Sequence, residues 1–184
     1  SSQLIENTVK DLESEKAIGW FQGKMEFGPR ALGNRSILAD PRGKDIKDKI
    51  NSAIKYRESF RPFAPAIIKD DFQDYFDSGS VNEVPFMEKV YKIKPDKQKL
   101  IPAVTHDDGS GRAQTVDKKT NPRFFKLIQE FKKLTGIPIV VNTSFNLNGE
   151  PIVCSPTDAL RTFFSCGLDQ LIMGNYVIKK NWDK

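Results

Sequence analysis

The run Ile137-Pro-Ile-Val-Val-Asn142-Thr-Ser-Phe-Asn146 governs how the rest of the chain is read. Its first half is almost continuously β-branched, the pattern of a central strand covered on both faces. Its second half turns polar, and the far end of such a strand is where open sheets commonly place a ligand. Immediately upstream, 121–135 reads as a helix. Asn121 can cap it, Pro122 suits its first position, Phe124, Ile128, Phe131 and Leu134 recur at helical spacing, and Gly136 stops it. Downstream, Ser155-Pro-Thr-Asp158 has the form of a capping box opening a helix that ends near Gly167. Gly174-Asn175, between Leu171-Ile-Met and Tyr176-Val-Ile, is a two-residue hairpin signal.

Toward the amino terminus the pattern predicts a helix over 2–16, a strand over 17–21 and a loop over 22–34 with one helical turn after Pro29. A strand over 36–39 and an amphipathic helix over 44–56 carrying Ile46, Ile50 and Ile54 come next. Further elements are a strand over 63–68 and a short helix over 70–76, then strands over 84–94, 102–105 and 112–116, with a polar loop over 94–100. Helices and strands mix without strict alternation, so the fold class expected is α+β, or mixed α/β, in one domain spanning 1–184.

Charged residues are 29% of the chain and hydrophobic ones 38%, which excludes a disordered polyelectrolyte and suits a packed core. No apolar run approaches the roughly 18 residues of a membrane helix, and no signal peptide follows Ser1, so a cytoplasmic protein without membrane partners is expected. The start, Ser1-Ser-Gln without Met, suggests a fragment or a processed chain. Cys154 and Cys166 make neither a disulfide framework nor a zinc site, and both read as small buried hydrophobes. The sole histidine, His106, excludes a multi-histidine metal centre.

The net charge of +5 is concentrated in one region. Between Gly19 and Phe63 there are ten Lys or Arg against five Asp or Glu, so the remainder of the chain is neutral. Arg30, Arg35, Arg42, Arg57 and Arg61 sit among Gly, Pro and aromatics in loops of low entropy. Arg forks match phosphate and carboxylate oxygens in pairs, so this region reads as a polyanion pocket. There is no Gly-x-x-x-x-Gly-Lys-Ser/Thr and no Gly-x-Gly-x-x-Gly, so a nucleotide would have to be held by other means.

Four stretches carry a resemblance. They are Phe21-Gln-Gly-Lys-Met-Glu-Phe-Gly-Pro-Arg-Ala-Leu-Gly-Asn-Arg-Ser-Ile-Leu-Ala-Asp-Pro-Arg42, Arg57-Glu-Ser-Phe-Arg-Pro-Phe-Ala-Pro65, Pro102-Ala-Val-Thr-His-Asp-Asp-Gly-Ser-Gly-Arg-Ala-Gln-Thr-Val116 and Asn142-Thr-Ser-Phe-Asn-Leu-Asn-Gly-Glu-Pro-Ile-Val153. Together they resemble the carboxy-terminal domain of the O-carbamoyltransferases, the nodulation-type and antibiotic-tailoring enzymes. The resemblance implies a YrdC-like fold, a twisted mixed sheet with flanking helices. It implies that ATP and carbamoyl phosphate are turned into carbamoyl-adenylate here. An amino-terminal domain of actin-like ATPase fold in the same full-length chain would then pass the carbamoyl group to an acceptor hydroxyl.

The resemblance further implies a Lys-x-Arg pair, Lys55 and Arg57, and a Ser-x-Asn pair, Ser144 and Asn146, as the catalytic set. Lys55 and Arg57 can bind phosphates, one as a point charge and one as a fork. Mg²⁺ is expected with ATP because it neutralises phosphate charge and needs few protein ligands; no protein-built metal site is expected. Arg30, Arg35 and Arg61 are further phosphate candidates. His106, in Thr-His-Asp-Asp-Gly, is a candidate contact to the carbamoyl or phosphate group. Arg112 and Gln114, two apart on the expected strand, point to one face, and the Gln114 amide can match a carbamoyl group. Asn142 completes the substrate-binding set. Two other readings stay open: a basic RNA-binding module of the same fold, with nucleic acid the less favoured partner, and a non-catalytic regulatory or interaction domain.

Overall fold

The computed structural model describes residues 2–56, 58 and 61–180. The helices are α1 (Ser2–Glu13), α2 (Ile46–Ile50), α3 (Phe72–Tyr75), α4 (Pro95–Gln98), α5 (Pro122–Thr135) and α6 (Pro156–Phe164). The strands are β1 (Ile18–Phe21), β2 (Arg35–Ala39), β3 (Ala64–Ile68), β4 (Phe76–Asp77), β5 (Tyr91–Ile93), β6 (Ser110–Gly111), β7 (Gln114–Val116), β8 (Ile139–Ser144), β9 (Gln170–Met173) and β10 (Tyr176–Lys179).

Seven strands form a mixed sheet in the order β10-β9-β1-β2-β8-β3-β7, and β4-β5-β6 form a small second sheet. Among the described strands, only β1 with β9 and β3 with β7 run parallel. The β-branched run is β8, interior to the sheet between β2 and β3, with Ile139, Val140 and Val141 fully buried. Its polar end, Asn142 to Ser144, is still paired to Leu38, Ile37 and Ser36 of β2. The change from apolar to polar therefore happens inside the sheet, and the ladder holds the polar side chains in place.

α5 packs on β3, β8 and α1, and α6 packs on β1 and β9. Both helix starts follow the expected caps. The Asn121 side chain accepts from the Phe124 N–H, and Ser155 with Asp158 forms a complete capping box. Gly136 ends α5 at φ 78, and Gly174 turns the β9–β10 hairpin at φ 58; both are left-handed positions that suit glycine. Buried side chains from Leu4 to Ile172 form one connected core.

Four stretches differ from the sequence expectation. The strand expected over 84–94 is reduced to β5, because Pro85 interrupts it and Met87 adopts φ 55. The loop expected over 94–100 contains α4, which Pro95 starts. The strand expected over 102–105 is a 3₁₀ turn with Pro102 at its start. The chain after Pro29 bends without forming a helical turn. Cys166 is buried as expected, whereas Cys154 is exposed. No helix among the described residues is long and apolar enough to cross a membrane.

Candidate functional site

Where β8 turns polar, a cleft of about 350 Å³ opens. Five segments wall it: Pro29 to Ala31, Arg61 to Ala64, Met87 with Val90, His106 with Arg112, and Asn142 to Ser144. Six of the residues singled out in the sequence line it together: Arg30, Arg61, His106, Arg112, Asn142 and Ser144. Its described lining residues include no Asp or Glu.

The electrostatics follow from that lining. Burial, with the nearby Arg30 charge, holds Arg112 below the usual guanidinium range, and its Nε is buried without a hydrogen-bond partner among the described residues. Among the described residues Arg61 pairs with Glu58, at 3.9 Å between half-exposed side chains, an arrangement that contributes little. Burial also pushes the His106 imidazole below its usual value. Arg112 and Lys47 push the same way, and Asp108 and Asp107 oppose them. The imidazole Nδ1 lies 3.3 Å from the Ser110 hydroxyl, and the His106 N–H donates to the Ser110 carbonyl at 2.8 Å. Positive groups thus converge on a cleft whose described lining carries no carboxylate, an arrangement that suits a bound anion.

Lys55 does not line the cleft but braces its floor. A π-helical turn, Asn51–Lys55, follows α2 and ends at Tyr56 with φ 47. The turn buries Lys55 to 4% exposure. Its ammonium donates to the carbonyls of Ser144 at 2.5 Å and Asn146 at 2.9 Å, and to Asn146 Oδ1 at 3.0 Å. The Ser144 hydroxyl donates to Asn146 Oδ1 at 2.6 Å. Lys55, Ser144 and Asn146 are therefore one hydrogen-bonded unit. Arg57 lies outside the described residues.

Arg35 is placed elsewhere. Its guanidinium stacks on Phe21 at 3.6 Å and donates to the carbonyls of Gln22, Gly23, Asn34 and Cys154. It closes the base of the loop that carries Arg30. Arg42 is matched by a bidentate contact with Asp40. Glu26 was not singled out in the sequence, yet it accepts the N–H groups of Leu32 and Asn34 at 2.8 and 2.7 Å and so shapes that same loop. Nothing in its local pattern distinguishes it from a surface acid. Met87, Val90 and Thr143 were missed as cleft residues for the same reason.

Gln114 lies beneath the cleft lining at 4% exposure. Its amide donates to the Leu32 carbonyl at 2.8 Å, and its oxygen accepts from Asn142 Nδ2 at 2.7 Å. Among the described residues no cluster of three or more His, Cys, Asp or Glu could hold a metal ion. A magnesium ion accompanying a nucleotide would have to be carried by phosphate oxygens and water, the manner of binding Mg²⁺ commonly adopts.

Comparison with known proteins bears on the family and the fold. Residues 9–180 match the family described as carbamoyltransferase C-terminus. Nodulation protein NolO of Bradyrhizobium diazoefficiens is 50% identical over 181 residues, which is 98% of this chain and 33% of NolO. Nodulation protein NolNO of Sinorhizobium fredii is 52% identical over 164 residues, 89% of this chain and 24% of that protein. The chain thus spans a third or less of these relatives. Among solved structures, full-length HypF in its phosphate- and nucleotide-bound form superposes with a TM-score of 0.65 at 15% identity, over 96% of this chain and 25% of HypF. Sua5 of P. abyssi, complexed with L-threonine, gives 0.68 at 13% identity, over 95% of this chain and 47% of Sua5. The fold is YrdC-like, a mixed sheet with flanking helices.

Proposed function

The chain belongs to the carbamoyltransferase C-terminus family, and from that premise we propose that its cleft binds carbamoyl phosphate and the phosphates of ATP and forms carbamoyl-adenylate. The observation that carries this reading is the arginine-lined recess without an acid, in which Arg112 is desolvated beside Arg30. A second hollow of about 590 Å³ shares Arg61 and is lined by Ser52, Tyr56, Glu58 and Asn148. Two adjoining spaces with a common arginine suit two anionic ligands.

Arg30, Arg61 and Arg112 offset the repulsion between the two phosphorylated reactants and hold them in line. Lys55 keeps the Ser144–Asn146 turn fixed beneath the cleft, so that Ser144 is held in the lining without reorganising. A Mg²⁺ ion carried by ATP would be held by phosphate oxygens and water and would supply charge neutralisation there. The balance is carbamoyl phosphate, ATP and water giving carbamoyl-adenylate, phosphate and pyrophosphate. The remaining two thirds of a full-length relative would carry the transfer to an acceptor hydroxyl, in a domain of actin-like ATPase fold.

The test is to mix the purified protein with ATP, Mg²⁺ and carbamoyl phosphate and to quench for mass spectrometry. Carbamoyl-adenylate, or pyrophosphate released only when carbamoyl phosphate is present, is expected. Failure of either ligand to bind at millimolar concentration would overturn the reading in favour of a regulatory role. Ligand-free binding to RNA that weakens steeply with salt would favour the nucleic-acid alternative.

A further inference from the structure

One residue of the cleft lining carries a buried, uncharged polar atom without a hydrogen-bond partner among the described residues. Asn142 lines the cleft at 1% exposure, and its Oδ1 is buried without a hydrogen-bond partner among the described residues. Buried acceptors in this state are uncommon, and each one calls for an explanation.

The orientation of that amide follows from its neighbours. Asn142 Nδ2 donates to the Ala31 carbonyl at 3.1 Å and to Gln114 Oε1 at 2.7 Å. Gln114 is fixed in turn, because its Nε2 donates to the Leu32 carbonyl. Rotating Asn142 by half a turn would set its oxygen against two acceptors, so the nitrogen faces the scaffold and the oxygen is the end left over. The sheet makes the pairing possible. Asn142 of β8 and Gln114 of β7 flank β3, opposite Ala64 and Ala66. Only methyl groups stand between them, so the two amides meet over the intervening strand.

The Asn142 oxygen therefore accepts a hydrogen bond and has no proton to give. It selects for a ligand with an N–H or O–H group beside the bound anion. Resting on the reading that the cleft takes an acyl phosphate, we propose that Asn142, held by Gln114, is the residue that selects the acyl substituent. It accepts a hydrogen bond from the carbamoyl –NH₂, which the methyl group of acetyl phosphate cannot offer. A polar site denied its partner rejects an isosteric analogue far more strongly than an apolar pocket does. Gln114 acts through Asn142 as a positioning residue.

The test compares carbamoyl phosphate, acetyl phosphate and inorganic phosphate by calorimetry on the purified protein. The two acyl phosphates share charge and size and differ at the acyl substituent. The wild type should bind carbamoyl phosphate about tenfold or more tightly than acetyl phosphate. In Asn142→Ala, and in Gln114→Leu as a second variant that leaves Asn142 itself in place, that ratio should fall toward one. Circular dichroism checks that each variant is folded, and the wild-type ratio stands without either. Equal affinity of the wild type for the two acyl phosphates overturns the proposal, as does a ratio preserved in both folded variants. Phosphate binding without discrimination would remove Asn142 as the selector and leave the anion cleft standing. Binding of none of the three would overturn the cleft reading and this proposal with it.

Discussion

The ammonium of Lys55 lies 2.5 Å from the main-chain carbonyl oxygen of Ser144, joining the π-helical turn to the end of β8. The residues are 89 apart in sequence, and the contact fixes where the cleft floor sits against the basic segment. Lys55→Met keeps most of the volume and removes the donors, leaving the carbonyls of Ser144 and Asn146 short of a partner. A loss of about 1–3 kcal/mol in urea denaturation is expected, together with weaker phosphate binding because the turn is released. Lys55→Arg should not restore binding, since a planar fork cannot reproduce a compact ammonium inside a closed ring of oxygens. Wild-type phosphate affinity in Lys55→Met would show that the brace is irrelevant to the cleft.

Arg112 should show the opposite pattern of stability and binding. Its guanidinium is partly buried near the Arg30 charge, and its Nε is buried without a partner among the described residues, so the folded protein holds it at a cost. In Arg112→Ala, stability is expected to hold or to rise by about 0.5–1 kcal/mol, while phosphate affinity falls about ten- to a hundredfold. Denaturation and calorimetry on the same preparation check both halves. A variant that binds normally removes Arg112 from the site.

Gly33 separates a backbone requirement from a packing one. It sits at φ 108, and a Cβ there would lie 2.2 Å from the Phe124 ring, which is fully buried at the start of α5. Gly33→Ala combines strain with overpacking and should cost at least about 2 kcal/mol. Gly28 is the control: its φ is 136, and a Cβ there would meet nothing within 4 Å. Gly28→Ala should therefore show the backbone penalty alone. Equal melting-temperature losses in the two variants would contradict the role assigned to Phe124.

These elements show what the sequence could and could not convey. The caps at Asn121 and Ser155, the stop at Gly136, the hairpin turn at Gly174 and the change from apolar to polar at Asn142 are local signals, and the structure realises each of them. The π-helical turn left no signal, because Ile46, Ile50 and Ile54 keep their four-residue spacing while the hydrogen bonding changes around Asn51–Lys55. Arg35 and Arg30 stand in similar Gly-rich surroundings, yet Arg35 lies buried on Phe21 and Arg30 lines the cleft. What separates them is register on β2, which only the sheet reveals. The Asn142–Gln114 pair depends on two alanines of an intervening strand, a relation among three distant segments that no local pattern encodes.

His106 gives the site a pH dependence whose sign can be worked out. Burial holds its pKa below the usual histidine value, with Arg112 and Lys47 acting in the same direction against Asp108 and Asp107, so the free protein favours the neutral imidazole. An anion bound beside it favours the charged form, and the pKa rises on binding. By linkage, anion affinity must increase as pH falls through the pKa of the bound form. It levels off below the pKa of the free form, which lies under the ordinary histidine value. Sulfate is the suitable probe because its own charge is constant over this range. Its affinity should be low and flat above pH 8 and higher at pH 5, and His106→Asn should abolish the slope. The sequence contains one histidine, so a single imidazole resonance reports the titration directly by NMR. Saturating sulfate should move its midpoint upward. A midpoint that stays in place while sulfate binds would put the anion out of reach of His106, and the assignment of that residue to the cleft chemistry would fall.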